Sequence, residues 1–251
     1  MDSDSIRNKI FKYFPTLVSL KRFNKIIPKF LAYIVWPILK PEKIIYDGRI
    51  FFTSTKKFSN PSRDLFAYKK LYNIYEKKII ENYLKKNSNC IDVGANIGFF
   101  SYLFLKKVGK EGKIFAFEKI PEVFYILKKN FENEQNVICN FGAVGVDKES
   151  LIIEKIIDCK IQFIKIDIDG ADYFALKSCE QIIKKDRPII IIELSEASER
   201  EHNVNYSKTI EFFLNYDYNI YEIDSQLTKF DRKLKFDEVI NLLALNSSTK
   251  I

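Results

Sequence analysis

An acid and a pair of glycines mark the stretch of this chain that is best equipped for chemistry. The segment "CIDVGANIGFF", residues 90–100, is an apolar run that ends in an acid and is followed by Gly94 and Gly98. The whole chain contains only eight glycines. Two of them placed directly after a strand-like run predict a tight turn from strand to helix, in which a ligand can approach the main chain.

The spacing within this turn selects among ligands. The dinucleotide fingerprint G-x-G-x-x-G seats a pyrophosphate on a helix N-terminus, whereas this turn reads G-x-x-x-G with Asp92 before it. A carboxylate there repels an anion and attracts an ammonium group. Glu118 ends the next strand-like run, twenty residues after Gly98, where a carboxylate can accept hydrogen bonds from ribose hydroxyls. A ribose and an ammonium group without phosphate predict S-adenosylmethionine. The turn alone leaves a purely structural role open.

Carboxylates at the ends of later runs are candidates for acid–base chemistry. Asp167 ends an apolar run and Asp169 follows it. Two such neighbours raise the pKa of one of them toward that of a general base, or they share a divalent metal. Capping of the helix that begins at Ala171 is the structural alternative. Glu193 and His202, the single histidine, are further candidates on the same rim, with plain surface roles as the alternative.

These residues need a sheet that brings several strand ends together. Helical patterns occupy 97–107, 121–132, 171–185 and 206–216. Strand-like runs lie at 89–93, 113–118, 136–141, 161–167, 188–194, 218–224 and 241–246. The alternation of apolar runs with helices predicts an α/β protein with a mostly parallel sheet and right-handed crossovers. No helical pattern separates the last two runs, so we expect one antiparallel strand.

Two smaller elements precede the sheet. "KIIYDGRIFFTS" contains Asp47-Gly48 between two β-rich runs, which predicts a hairpin at 44–54. Asn60 and Pro61 then predict the start of a helix that runs over 61–86. We therefore expect a helical extension at 1–44 and one domain at 45–251, whose cofactor sheet occupies 89–247.

The predicted extension is both basic and apolar. Residues 1–40 contain eight lysines and arginines and two aspartates, so they carry +6 of the net charge of +8. Their apolar core, 30–39, is too short to span a bilayer and contains Pro37. Such a segment predicts peripheral contact with anionic lipids, or helices packed against the body. The body carries only +2, which disfavours a nucleic-acid groove there.

Cysteine spacing argues against a zinc site and against a disulfide framework. The cysteines Cys90, Cys139, Cys159 and Cys179 lie far apart and form no C-x-x-C pair. We therefore expect a reduced, cytoplasmic setting, on the inner membrane surface if the extension binds lipid.

Longer stretches of the chain resemble a known family. "CIDVGANIGFFS", "KIFAFEKIPEVFYILKKNFE", "IQFIKIDIDGADYFALKSCEQIIKKDRPIIIIEL" and "NLLALN" are similar to the FkbM family of S-adenosylmethionine-dependent methyltransferases. The resemblance implies the Rossmann-like class I methyltransferase fold, a seven-stranded sheet with one antiparallel strand. It also implies methyl transfer, usually to a hydroxyl oxygen of a sugar, glycan or secondary metabolite.

The resemblance assigns roles to individual residues. Glu118 corresponds to the ribose-binding acid, and Ala143 to the small residue beside the adenine. Asp167-Ile-Asp169-Gly170 corresponds to the D-V-E-G signature of the family. The cofactor loop corresponds to Asp92, Gly94, Ala95, Asn96 and Gly98.

The chain also departs from the family pattern. Lys119 replaces a proline, and Asp169 and Asp172 replace glutamates. About twenty residues separate Ala143 from the strand at Ile161, where relatives have a longer segment. We expect an O-methyltransferase acting on a glycan, glycolipid or small metabolite. The alternatives are a non-catalytic cofactor-binding protein and a nucleic-acid methyltransferase, although the chain lacks the N/D-P-P-Y/F motif of base-methylating enzymes.

Overall fold

The computed structural model describes residues 33–34, 36–39, 41–54, 60–68, 72–168, 170–195, 204–235 and 238–249. Most of the predicted extension at 1–44 lies outside these residues, and so do Asp169 and His202.

The described chain begins with a short helix and a hairpin. Helix α1 (Trp36–Leu39) precedes strands β1 (Lys43–Tyr46) and β2 (Arg49–Phe52), which pair antiparallel. Asp47 and Gly48 connect the strands with φ angles of 52° and 79°. Positive φ at both positions matches the twist of a two-residue hairpin, so the predicted hairpin turn is present.

The helix predicted over 61–86 is instead two helices, α2 (Asn60–Tyr68) and α3 (Ile74–Tyr83). Asn73 precedes α3 in the left-handed region, with φ 46° and ψ 49°. A residue in that conformation breaks the run of helical backbone angles, and asparagine adopts it more readily than most residues. The apolar spacing continued across this break, which is why the sequence predicted one helix.

The central sheet contains eight strands in the described part of the chain. Their order across the sheet is β5-β4-β3-β6-β7-β10-β8-β9. The strands are β3 (Cys90–Val93), β4 (Ile114–Glu118), β5 (Val137–Phe141), β6 (Phe163–Ile166), β7 (Ile189–Ser195), β8 (Tyr218–Glu222), β9 (Thr228–Lys229) and β10 (Val239–Asn246). Strands β3 to β7 are parallel, and β10 runs antiparallel to both of its neighbours. The predicted antiparallel strand is thus β10. Strand β9 has only two residues, too few to show any periodicity.

Helices cover both faces of this sheet. They are α4 (Phe99–Val108), α5 (Pro121–Asn130), α6 (Ile153–Ile156), α7 (Asp172–Ser178), α8 (Glu180–Asp186) and α9 (Ser207–Asn215). The helix predicted at 171–185 is divided at Cys179, whose ψ of 7° interrupts the regular helix. The short α6 lies in the segment between β5 and β6 and was not predicted.

Two apolar cores fill the space between sheet and helices. One contains Phe51 of the hairpin, Phe104 of α4 and Phe163 of β6. The other contains Ile164 on the opposite face of β6 and Phe213 of α9. Burial on both faces explains the nearly continuous apolar runs of the parallel strands.

One buried asparagine joins the hairpin to the turn after β3. The amide nitrogen of Phe52 donates to Oδ1 of Asn130 at 2.7 Å. Asn130 Nδ2 donates to the carbonyls of Phe52 at 3.1 Å and of Ile97 at 2.8 Å. The side chain of α5 thereby fixes β2 against the predicted cofactor loop.

Within the described residues, the helices are too short or too polar to traverse a bilayer.

Candidate functional site

The glycine turn after β3 packs directly against the loop after β6. Gly94 has φ 78°, and its amide and that of Ala95 donate to the carbonyl of Phe117 at 3.0 and 2.9 Å. A Cβ on Gly94 would lie 1.9 Å from the carbonyl oxygen of Asp167. A side chain here would collide with the main chain of the neighbouring loop, so the position requires glycine on two counts. The sequence predicted the positive φ of Gly94 and the approach of a ligand to its main chain. In the structure, the group closest to this position belongs to the protein's own loop after β6.

Gly98 closes the turn against α5. It has φ 90°, and its amide donates to the carbonyl of Ala95 at 2.8 Å. A Cβ there would lie 2.2 Å from Cε2 of Phe131. The prediction that Gly98 allows close packing where the helix begins is confirmed. Between the glycines, Asn96 has φ 51°, and its Oδ1 accepts a hydrogen bond from the amide of Ile97 at 2.9 Å.

Glu118 presents a fixed carboxylate at the end of β4. The residue is 6% exposed. Its Oε1 accepts a hydrogen bond from the amide of Ile120 at 2.8 Å, and its Oε2 accepts one from the amide of Asn96 at 3.0 Å. Burial raises the pKa of Glu118, and these backbone amides oppose the rise. Each carboxylate oxygen has a second acceptor site, so the group can also accept hydrogen bonds from a ligand.

Asp92 lies beneath the turn and is almost fully buried. It is 1% exposed, and its Oδ2 accepts a hydrogen bond from Oγ of Ser101 at 2.6 Å. Burial raises the pKa of Asp92 to about 6, against the opposing effects of the Ser101 hydrogen bond and the charge of Lys165. The sequence did not reveal this depth. Direct contact between Asp92 and a cofactor stays a prediction.

Asp167 lies at the rim and is paired with a lysine that sequence reasoning missed. Its side chain is 38% exposed, and its Oδ2 accepts a hydrogen bond from Nζ of Lys165 at 2.7 Å. Lys165 is 2% exposed, and its Nζ lies 4.4 Å from the ring centroid of Phe100. Burial lowers the pKa of Lys165, but the charge and hydrogen bond of Asp167 raise it above its usual value on balance. The available signal was a lysine inside the apolar run "IQFIKID".

Asp172 orders the loop that follows β6. It is 2% exposed, and its two carboxylate oxygens accept hydrogen bonds from the amides of Ile168 at 3.0 Å and Gly170 at 2.9 Å. Burial raises its pKa to about 6, and these amides oppose the rise. The N-cap residue of α7, Ala171, makes no side-chain cap hydrogen bond. Asp172 therefore supports the loop, and capping of the helix by Asp167 is not observed.

A cleft opens at the carboxyl ends of β3, β4, β5 and β6. Its empty volume is about 900 Å³, which includes the open mouth. Five of the predicted site residues line it: Gly94, Asn96, Glu118, Ala143 and Asp167. Asp92, Ala95 and Gly98 shape the turn without lining the cleft, and Glu193, at the end of β7, also lies outside its walls.

The walls of this cleft suit a nucleoside with a cationic group. Apolar side chains of Phe117, Ile120 and Val144 stand beside the carboxylates of Glu118 and Asp167. Glu118 matches a pair of ribose hydroxyls, and Asp167 matches an ammonium or sulfonium group. Within the described residues, no group of three or more His, Cys, Asp or Glu side chains could hold a metal ion, so the divalent metal that the sequence left open gains no support.

The chain is similar to known methyltransferases. Residues 140–220 match the model of the methyltransferase FkbM domain. A 44-residue segment, 18% of this chain, is 50% identical to ribosomal RNA large subunit methyltransferase E of Buchnera aphidicola subsp. Cinara cedri (strain Cc). The match spans about a fifth of the length of that curated relative, 21%.

Solved structures are similar over a larger part of the chain. Precorrin-6y C5,15-methyltransferase from Geobacter metallireducens GS-15 has 15% identity and a TM-score of 0.50, over 78% of this chain and 94% of that one. Methyltransferase FkbM from Methylobacillus flagellatus KT has 17% identity and a TM-score of 0.48, over 72% of this chain and 52% of that one.

The first of these structures shows the class I methyltransferase fold, in agreement with the strand order and with the antiparallel strand β10 between β7 and β8. The match at 140–220 confirms the family resemblance, which the sequence motifs had indicated. The chain thus resembles the FkbM methyltransferase domain over residues 140–220, and its fold is the class I methyltransferase fold.

Proposed function

We propose that this protein is an O-methyltransferase that uses S-adenosylmethionine to methylate a hydroxyl group of a sugar, glycan, glycolipid or small metabolite. One observation carries the cofactor part of the proposal. The carboxylate of Glu118 is held by two backbone amides beside the glycine turn, at the wall of an open cleft. This arrangement provides oriented acceptors for a ribose and offers no cradle of amides for a pyrophosphate.

The order of strands suggests how the cleft would hold the cofactor. Ala143 follows β5 and would lie beside the adenine, and Glu118 at the end of β4 would bind the ribose. Gly94 and Asp167, after β3 and β6, would border the methionyl end. The bound cofactor supplies an electrophilic methyl group on a cationic sulfur.

Asp167 is the residue best placed to receive the proton of a hydroxyl acceptor. It lines the cleft and its side chain is partly exposed, while Lys165 holds one of its oxygens. A positioned base contributes about 10²–10⁴-fold to such a transfer. Asp169 remains the second catalytic candidate, at a position outside the described residues.

Calorimetric titration tests the cofactor assignment. We expect micromolar binding of S-adenosylmethionine by the wild-type protein, and at least about tenfold weaker binding by Glu118→Ala, because the charged acceptor of the ribose hydroxyls is lost. Glu132→Ala, at an exposed position on the loop after α5, is the matched control and should bind like the wild type. Absence of heat with both the cofactor and its demethylated product would contradict the proposal.

RNA methylation is a second candidate. The similarity to a ribosomal RNA methyltransferase over 44 residues and the basic residues 1–40 favour it. Incubation of cell extract with the enzyme and methyl-labelled cofactor separates the two candidates. Label in the glycan, lipid or small-molecule fractions supports O-methylation of those acceptors, and label in RNA supports the second candidate.

The labelling experiment also tests a third candidate, a protein that binds the cofactor without catalysing methyl transfer. The short segment between Ala143 and β6, which contains only α6, motivates it. Binding of the cofactor without labelling of any fraction would favour this alternative.

A further inference from the structure

A single buried lysine lies at the centre of an acidic cluster under the cleft. Asp92 on β3 and Lys165 on β6 are register partners in the parallel sheet, so their side chains share one face. In the part of the chain that the structure describes, Lys165 is the only lysine or arginine that is buried. Its ammonium contacts the carboxylate of Asp167 and the ring of Phe100.

Acids from several elements surround this lysine, whereas α4 contributes only the ring of Phe100. Asp92, Asp167 and Glu193 favour the charged form of Lys165. Burial raises the pKa of Asp92, of Glu76 in α3 and of Asp172 in α7, and the charge of Lys165 opposes each rise. Burial raises the pKa of the Tyr72 phenol, ahead of α3, and the charge of Asp167 adds to this rise. Asn241 of β10 links the outer part of the cluster, since its Nδ2 donates to Oε1 of Glu76 at 3.0 Å.

The number of acids around one cation gives the methyl-donor end of the cleft a negative potential. Asp167 lines that end, beside Gly94. S-adenosylmethionine carries one more positive charge there than its demethylated product, because the sulfonium becomes a neutral thioether after transfer. Burial strengthens every such Coulomb interaction, because the effective dielectric constant is lower than in water.

We propose that Lys165 sets the charge at the methyl-donor end of the cleft, and thereby determines how strongly the site prefers the cationic cofactor to its neutral product. The inference rests on the proposed function, since it concerns the same cleft. Lys165 acts through Asp167 and the neighbouring carboxylates, so it is a positioning residue with an electrostatic role.

The test measures the ratio of the dissociation constants of S-adenosylhomocysteine and S-adenosylmethionine by calorimetry at pH 7.5. Lys165→Met removes the compensating charge, so we expect the ratio to rise about fivefold to tenfold in favour of the cofactor. Asp167→Asn removes a negative charge at the cleft wall and should lower the ratio by a similar factor. Lys165→Arg keeps the charge and should stay within about twofold of the wild type.

A pH series separates charge from shape. In Lys165→Met, Asp92 and Asp172 lose the cation that opposes the rise of their pKa, so they should ionise at higher pH than in the wild type. The ratio should therefore rise between about pH 6 and pH 8 in this variant, more steeply than in the wild type. A packing defect would weaken the binding of both ligands equally and would leave the ratio of their dissociation constants independent of pH.

The outcomes are distinguishable. If the wild type binds neither ligand, the proposed function fails. If both ligands bind and the ratio is unchanged in folded Lys165→Met, the inference is wrong. Should Lys165→Met fail to fold, Asp167→Asn decides, because the Asp167 side chain is partly exposed and the amide oxygen of an asparagine there can still accept the hydrogen bond of Lys165. An unchanged ratio in Asp167→Asn overturns the inference, and a lowered ratio supports it.

Discussion

Asp92 illustrates that sequence spacing does not report how deeply a side chain is buried. The spacing before the glycine turn predicted a carboxylate that attracts an ammonium group, and the structure buries this carboxylate under the turn, with a hydrogen bond from Ser101. Burial disfavours its charged form, and a neutral hydroxyl compensates this only in part. Its ionisation should therefore destabilise the folded protein.

The pH dependence of stability tests this. The pKa of Asp92 is about 6 in the folded protein, against 3.8 for an unperturbed aspartate. An acid with a raised pKa favours the protonated folded state, so stability falls as pH rises from about 4 to about 6. Asp92→Asn cannot ionise, and its free energy of unfolding relative to the wild type should grow by roughly 3 kcal/mol across that window and then stay level. Urea denaturation at pH 4, 5, 6 and 7.5 provides the measurement.

Asp147 provides a control in which the contribution to stability depends on pH in the opposite direction. Its pKa is lowered by hydrogen bonds from Ser150 and the Glu149 amide. Its contribution to stability is present above the unfolded pKa and lost as pH falls. The difference between Asp147→Asn and the wild type should therefore shrink toward acid pH. Equal slopes for the two variants would contradict the assigned environments.

At this scale the sequence identified residues by spacing and not by depth. Gly98 and Glu118 were found because a turn and the end of the next strand have characteristic separations. Lys165 was missed because an apolar run with one lysine reads as a strand with one solvent-facing position. Only the packing of α4, with Phe100 over the ammonium, shows that this face is buried.

The elements around the site depend on how closely α4 and α5 approach each other. Gly98 directly precedes α4, at a point where Phe131, just after α5, leaves no room for a methyl group. Gly48 in the hairpin turn also has a positive φ, 79°, but no atom lies within 4 Å of the position its Cβ would take. A comparison of Gly48 with Gly98 therefore separates the energetic cost of backbone strain from the cost of a steric clash.

Alanine substitution exploits this difference. Gly48→Ala should cost about 1 kcal/mol, the price of a left-handed conformation alone. Gly98→Ala adds a collision with a buried ring and should cost about 3 kcal/mol. The free energies of unfolding of both variants, measured in urea, provide the comparison. Equal losses would show that the ring moves aside freely.

The order of elements was predictable, and their exact bounds were not. Strongly apolar runs predicted the seven longer strands, because burial on both faces leaves a strong compositional signal. Helix ends at Asn73 and Cys179 depend on single backbone angles, which apolar periodicity does not report. Strand β9 forms only by pairing with β8.

For the molecule as a whole, we propose that the N-terminal segment brings the protein to anionic membranes. In α1, Trp36 packs against the ring of Phe66, with centroids 5.5 Å apart, while Ile38 is 77% exposed. Tyr33 is also exposed, at 61%. Apolar groups next to a basic segment suit the interface of an anionic bilayer.

Vesicle sedimentation tests this proposal with the full chain. The variant with Lys21, Arg22 and Lys25 replaced by glutamate should bind phosphatidylserine-containing vesicles more than tenfold more weakly than the wild type, at about 1 kcal/mol per basic residue. Replacement of the exposed Lys110, Lys148 and Lys155 by glutamate changes the net charge equally and is the matched control. Equal losses in both variants would point to general charge attraction.

The hydrogen bonds of Asn130 connect the hairpin of β1 and β2 to the glycine turn at the cleft. The same side-chain amide holds both backbone groups of Phe52 and the carbonyl of Ile97, next to the glycine turn. A ligand that tightens the turn must also suppress local opening of the hairpin, since the two share one clamp. The Phe52 N–H should therefore exchange with deuterium more slowly when the nucleoside is bound, which makes a hairpin amide a remote reporter of occupancy that needs no knowledge of the methyl acceptor.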